Sequence, residues 1–192
     1  MNIVKYFWAI RAVVYKLRFK RFGNLSYIGK PIILTGTKKV AVGNKVRIYP
    51  GARIEVWGEN SKITIEDNVS IGQNLHITSM GSELVIGEKT TISGNVLITN
   101  NGHNYEQTGV HILGQECSKK ETRIGENCFI GYGVVILAGT ILGKQCIVGA
   151  NSVVQGEFPD YSVIVGAPAR VVKKYNSETN KWEKVRSKTF TS

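Results

Sequence analysis

Residues 124–154 read IGENCFIGYGVVILAGTILGKQCIVGANSVV. An aliphatic side chain returns at every sixth position of this stretch, at Ile124, Ile130, Ile136, Leu142, Val148 and Val154. A period of six fits neither an α-helix, which repeats every 3.6 residues, nor an alternating strand, which repeats every 2. It fits a chain folded into short flat sides joined by tight corners, with one aliphatic anchor per side turned inward. Three sides close a triangular coil of about 18 residues, and stacked coils pair their backbone groups with those above and below. Glycine follows the anchor at Gly125, Gly131, Gly143 and Gly149, and a small or β-branched residue stands four after it at Cys128, Val134, Thr140, Cys146 and Ser152. The glycines are read as corner residues, because glycine accepts backbone angles that other residues avoid. Cys128 and Cys146 fall at inward small-residue positions and are read as buried packing thiols.

The same spacing extends toward the N-terminus in three shorter runs: Val42, Ile48, Ile54; Ile65, Ile71, Ile77; and Ile86, Ile92, Ile98. The period breaks at length once, over the 25 residues from Thr99 to Arg123. A long unpatterned loop in a compact repeat is uncommon and often functional. This one holds two of the three histidines. His103 follows Asn100-Asn101-Gly102 directly after a strand, so its side chain starts from a rigid edge, whereas His111 lies deeper in the loop. His76 precedes anchor Ile77 on a coil and is read as a solvated or satisfied side chain. An imidazole titrates near neutrality and suits general-base work on a hydroxyl. Asn101, Glu106, His111 and Glu116 share the loop and are candidates to orient that base or to contact an acceptor.

The chain has 192 residues, enough for one domain with a sizeable core, and its 42% hydrophobic content excludes a disordered chain. Three cysteines with no C-x-x-C spacing argue against a disulfide framework and a structural zinc site, and fit a reducing cytoplasm. No apolar run is long enough for a spanning helix. The net charge of +11 is lopsided: residues 1–54 hold 12 Lys and Arg and no acid, while the rest holds 13 basic and 14 acidic residues. A basic end on a neutral body suggests docking to an anionic surface rather than nucleic-acid binding. Residues 2–22 read as a helix, with Ile3, Phe7, Ile10, Val14 and Leu17 on one face and Arg11 and Arg18 flanking that stripe. It resembles an interfacial helix, although a face that packs on the main domain or on a partner subunit has the same pattern. Residues 171–185 read as two short strands around Ser177–Asn180.

The segments ITNNGHNYEQ (98–107), IGENCFIGYGVVILAGTILG (124–143) and VIVGAPARVVKK (163–174) carry a family resemblance. The chain resembles the hexapeptide-repeat acyltransferases, in particular the maltose/galactoside acetyltransferase and polysaccharide O-acetyltransferase branch. The resemblance implies an all-β fold, a left-handed parallel β-helix, here over 28–170 with an active-site loop at 99–123. An N-terminal amphipathic helix over 1–27 precedes it and a C-terminal hairpin or tail over 171–192 follows. It implies acetyl-CoA as acyl donor, no required metal, and a homotrimer with sites between subunits. The implied acceptor is a glycan of a surface polysaccharide such as lipopolysaccharide, modified in the cytoplasm. The leader departs from relatives that act on free sugars, which usually carry an acidic helix: a basic, aromatic one favours a lipid-linked acceptor and peripheral contact through residues 1–22 at the inner face of the membrane. His103 matches the family's catalytic base. Phe129, Gly131, Tyr132, Gly149, Ala150, Gly166, Ala167, Arg170, Lys173 and Lys174 match the cofactor-binding region: the small residues leave room for a pantetheine arm, and the cations suit phosphates. Two departures stand out: Cys128-Phe129 where relatives often have Val-Trp, and Tyr132 where they have a small residue. The alternatives are a metal-dependent hydratase of the γ-carbonic anhydrase type using the three histidines, and a non-catalytic β-helix scaffold or binding protein.

Overall fold

A computed structural model describes residues 3–185. The repeat builds a parallel β-helix with three faces. Face one stacks Arg21–Phe22, Val40–Val42, Lys62–Ile65, Glu83–Ile86, Thr122–Ile124, Ile141–Leu142 and Glu157–Phe158. Face two stacks Tyr27–Ile28, Arg47–Ile48, Ser70–Ile71, Thr91–Ile92, Phe129–Ile130, Ile147–Val148 and Ser162–Gly166. Face three stacks Ile33–Thr35, Arg53–Trp57, His76–Met80, Leu97–Thr99, Val135–Ile136 and Val153–Val154. Strands this short have no stability of their own. They persist because each pairs in register with the coil above and the coil below, as Ile130 does with Ile92 and Val148.

All fifteen anchors point into the prism, and none is more than 2% exposed. Each fully buried aliphatic side chain contributes about 1.5–3 kcal/mol, so the column is the main stabilising element. The residues four after the anchors are mostly buried too, including Thr90, Thr140 and Ser152; Gly58, Gly81 and Gly102, where the coil lengthens, are not. Thr90 Oγ1 donates to Gly125 O (2.9 Å), and Ser152 Oγ donates to Gly149 O (2.8 Å), so buried hydroxyls satisfy corner carbonyls.

The corners differ from the expectation in one respect. The left-handed residue stands three after the anchor and is mostly not glycine: Lys45, Asn68, Asn74, Lys89, Asn95, Asn127, Gln145 and Asn151 take φ between 49° and 59°. The glycines directly after the anchors have ordinary φ. They serve close approach instead: a Cβ on Gly87 would lie 2.6 Å from Glu126 N, and one on Gly131 2.6 Å from Ala150 N. The six-residue unit thus uses glycine for coil spacing and a polar side chain for the turn.

The N-terminal helix, α1, spans Ile3–Arg18 and stops short of the expected residue 22. Lys20 N already donates to Val40 O (3.1 Å), and the first strand of face one begins at Arg21. The first coil therefore starts before residue 28, with Phe22 and Ile28 as buried anchors and Leu34 packed against them, again six apart. Tyr15, Phe19 and Phe22 meet ring to ring, with centroids 5.3–5.6 Å apart, and close the end of the core. Trp8 lies 5.2 Å from Tyr27 and 6.0 Å from Tyr49. The helix thus packs through Trp8, Ala12 and Tyr15, with Phe19 just past its end, and the stripe of Phe7, Ile10, Val14 and Leu17 faces outward. The side chain of Ile3 lies outside the described residues. At the other end, Ala169–Asn176 runs antiparallel to Ser162–Gly166, and Lys181–Lys184 pairs with it in turn, extending face two.

Candidate active site

The insertion at 99–123 leaves the corner between face three and face one. It is a hairpin: Asn101–His103 pairs antiparallel with Cys117–Lys119. Its root is Asn100, fully buried, whose Nδ2 donates to Ser82 O (3.1 Å) and whose Oδ1 accepts from Met80 N (2.7 Å). Lys120 N donates to Asn100 O (2.9 Å), and Thr122 Oγ1 donates to Thr99 O (3.0 Å), so both ends of the insertion are tied together. At the tip, Gln115 Nε2 donates to Gln107 O and Val110 O, each at 3.2 Å.

This hairpin sets His103 on a stiff edge with its ring exposed. Its cross-strand partner is Cys117, whose Sγ lies 3.7 Å from His103 Nδ1. With Nδ1 on the thiol side, Nε2 is the ring nitrogen without a hydrogen-bond partner among the described residues. Sequence reasoning did not single out Cys117, because the pairing of positions 103 and 117 exists only once the hairpin register is known.

The other loop candidates are not gathered around the imidazole. Among the described residues no hydrogen bond or ion pair joins His103 to a carboxylate. Glu106 accepts from Tyr105 N (3.0 Å), and Glu116 extends its strand edge in the open. His111 Nδ1 accepts from Leu113 N (3.3 Å) and starts the short helical turn Ile112–Gly114, so its ring serves the local turn. Asn101 Oδ1 accepts from Thr99 Oγ1 (2.9 Å) and steadies the strand that carries His103. His76 sits on face three, with Nε2 3.5 Å from Glu55 Oε2. Arg53 and then His76 hold the Glu55 carboxyl below its ordinary range, against the opposing effect of burial. The three imidazoles therefore have three different neighbours, and among the described residues no group of three metal-ligating side chains converges.

The cofactor candidates collect at another corner, between faces two and three. Register between coils stacks Gly131 over Gly149 and sets Ala150 between Tyr132 and Gly166. The outer row of face two runs Phe129, Ile147, Val163 and then Lys173, three strand spacings or about 14 Å. Phe129 and Tyr132 show 44% and 49% of their surface, and Tyr132 Oη accepts from Asn95 Nδ2. Ala150, Gly166 and Ala167 are exposed, leaving a narrow strip of backbone open to a slender ligand. Arg170, Lys173 and Lys174 are exposed, and among the described residues none is ion-paired. An apolar ring, a bare backbone edge and free cations suit a thioester on a phosphorylated carrier. Cys128 and Cys146 are buried. The hydrogen bond with Cys146, aided by burial, pushes the Cys128 thiol upward, which makes it inert rather than nucleophilic.

Within one chain these two sets stand apart. His103 leaves the corner after face three, whereas the small-residue column lies at the corner before it. A whole side of the triangle, about six residues at roughly 3.3 Å each, separates them.

The pattern described as "Bacterial transferase hexapeptide (six repeats)" matches residues 121–156. The chain is 32% identical over 170 residues to WbbJ of Escherichia coli (strain K12), described as a lipopolysaccharide biosynthesis O-acetyl transferase, covering 85% of this chain and 86% of that protein. The chain belongs to the hexapeptide-repeat acyltransferases. Among solved structures of this fold, an N-acyltransferase from Bacillus cereus in complex with dTDP and 3-hydroxybutyryl-CoA superposes with a TM-score of 0.76, at 18% identity over 88% of this chain and 90% of that one. A galactoside acetyltransferase in complex with coenzyme A gives a TM-score of 0.61, at 21% identity over 97% of this chain and 82% of that one. At such identities the two structures speak for the hexapeptide-repeat fold alone.

Proposed function

We propose that this hexapeptide-repeat protein transfers an acetyl group from acetyl-CoA to a sugar hydroxyl of a surface polysaccharide or its lipid-linked precursor. The observation that carries the reading is the exposed imidazole of His103, seated on a hairpin rooted in the rigid coil. Nε2 of His103 removes the acceptor's hydroxyl proton as the oxygen attacks the thioester carbonyl. The tetrahedral oxyanion then collapses, the C–S bond breaks, and the imidazolium returns its proton to the departing thiolate. Such a base contributes about 10²- to 10⁴-fold. Phe129 and the Gly131–Gly149 column flank the donor's arm, with Arg170, Lys173 and Lys174 facing its phosphates.

The separation of base and donor corner within one chain supports a trimer in which His103 of one subunit serves the donor bound along the next. Proteins of this fold have been crystallised with coenzyme A and with dTDP-4-amino-4,6-dideoxyglucose, which accords with a donor thioester and a glycosyl acceptor. No described helix is long and apolar enough to cross a membrane. The reading places the enzyme in the cytoplasm, in peripheral contact with the inner face of the membrane through residues 1–22.

Acetyl-CoA turnover with a panel of glycans tests the reading. His103→Ala is expected to lose about 10²-fold or more in kcat while coenzyme A binding is kept. Equal turnover by parent and variant overturns the assignment. Mixing His103→Ala chains with Ala150→Trp chains, each inactive alone, is expected to restore roughly a quarter of the sites if subunits share them. No recovery refutes the shared site.

A further inference from the structure

The helix α1 is amphipathic on two sides, and only one side is used by the fold. Trp8, Ala12, Tyr15 and Phe19 take the side that packs on the first coils. At about 100° per residue, Phe7, Ile10, Val13, Val14 and Leu17 occupy the opposite side. They are exposed by 62%, 66%, 66%, 50% and 77%. Leu25, 79% exposed on the adjoining corner, continues the apolar surface across a groove of about 310 Å³ that Val13 also lines. A contiguous apolar face of this kind marks a docking site.

The charges around it choose the occupant. Arg11 and Arg18 border the stripe on one side and Lys16 on the other, with Lys20 and Arg21 just beyond the helix. Among the described residues none of the five is paired with a carboxylate, and Nη1 of Arg11 is buried without a hydrogen-bond partner. No acid precedes Glu55 in the chain. A second copy meeting this face with its own basic end would set cation against cation. The remaining body, with 13 basic and 14 acidic residues, has an excess of one acid, too small to complement it. An anionic lipid surface offers acyl chains to the stripe and phosphate headgroups to the flanking cations.

We infer that the outward side of α1, with Leu25, is a docking surface for an anionic bilayer. The inference rests on the reading of the chain as a glycan acetyltransferase, and it deepens that reading by fixing where the acceptor is met. The hairpin bearing His103 leaves the fourth coil, three coil spacings or about 14 Å along the prism axis from the coil that α1 covers. The docking surface and the imidazole thus belong to different coils, which suits a glycan carried on a lipid.

Flotation of the full chain with vesicles of phosphatidylcholine, with and without phosphatidylglycerol, tests the inference. The parent protein is expected to float with the anionic vesicles at low salt and to release in high salt. The double variant Ile10→Glu/Val14→Glu, altered only at exposed positions, is expected to bind at least tenfold more weakly, with its melting temperature, sedimentation and turnover of a soluble glycan unchanged. Equal flotation of variant and parent, or no flotation of the parent with anionic vesicles, overturns the docking surface. A fall of the variant to a smaller species assigns the face to a subunit contact instead and likewise overturns it. Flotation without turnover of any glycan leaves the docking surface standing and removes the enzymatic reading.

Discussion

The coil and the hairpin at 99–123 are made by opposite means. In the coil, every sixth residue is aliphatic and buried, and neighbouring coils satisfy one another's backbone. In the hairpin, Gln115 is the only buried residue from 101 to 121, and hydrogen bonds at Asn100, Gln115 and Thr122 hold it in place. The coil gains stability from repetition and presents nothing reactive inside. The hairpin has little core of its own and carries the exposed imidazole. Rigidity and chemistry are thus assigned to different segments, and the coil lends the hairpin its stiffness at one corner.

Substitutions sharpen that division. The largest effect belongs to His103→Ala, which is expected to reduce kcat by about 10²-fold or more while the melting temperature stays at the parent value, because the ring is exposed. A coupled loss of stability measured by calorimetry would mean that the hairpin is part of the core after all. The converse is Ile130→Ala, at 0% exposure: it is expected to destabilise the chain by about 2–5 kcal/mol in denaturant titration. Asn100→Ala probes the junction and should affect both properties. It leaves Met80 N–H without its acceptor, at about 1–3 kcal/mol, and loosens the strand under His103. Unchanged kcat in that variant would break the link between coil and hairpin. The smallest effect is at Cys117. Loss of a neutral contact to Nδ1 in Cys117→Ala is expected to lower kcat about fivefold at unchanged KM for acetyl-CoA, with Cys117→Ser closer to the parent. Equal rates for all three proteins would show that the thiol does not hold the ring.

The same division decides what the sequence discloses. The anchors from Val42 to Val154 are legible because burial acts on each unit alike and leaves a period. The first coil escaped because its opening anchor is aromatic, Phe22, and lies where the helical sequence pattern continues. The turn residues escaped because a left-handed φ leaves no single residue type behind: Lys45, Asn68 and Gln145 all adopt it. The glycine after each anchor was visible, but its reason lies in the next coil, which a linear reading does not hold. In the candidate site, His103 stood out through the broken period and the family pattern. Cys117 did not, since cross-strand register is a property of the folded hairpin. The helix shows a further limit. Its apolar stripe was correctly located, yet only the structure reveals that Trp8, Tyr15 and Phe19, on the other side, make the contact with the coil.

Leu84, Val85 and Ile86 pair with Thr122, Arg123 and Ile124 as directly as any adjacent coils do, although 35 residues separate Ile86 from the start of that strand. The prism closes as though the insertion were absent. The hairpin is therefore a replaceable cartridge in a fixed socket: under the proposed acetyl transfer, exchanging its tip is expected to alter which hydroxyl reaches the imidazole without asking the chassis to refold.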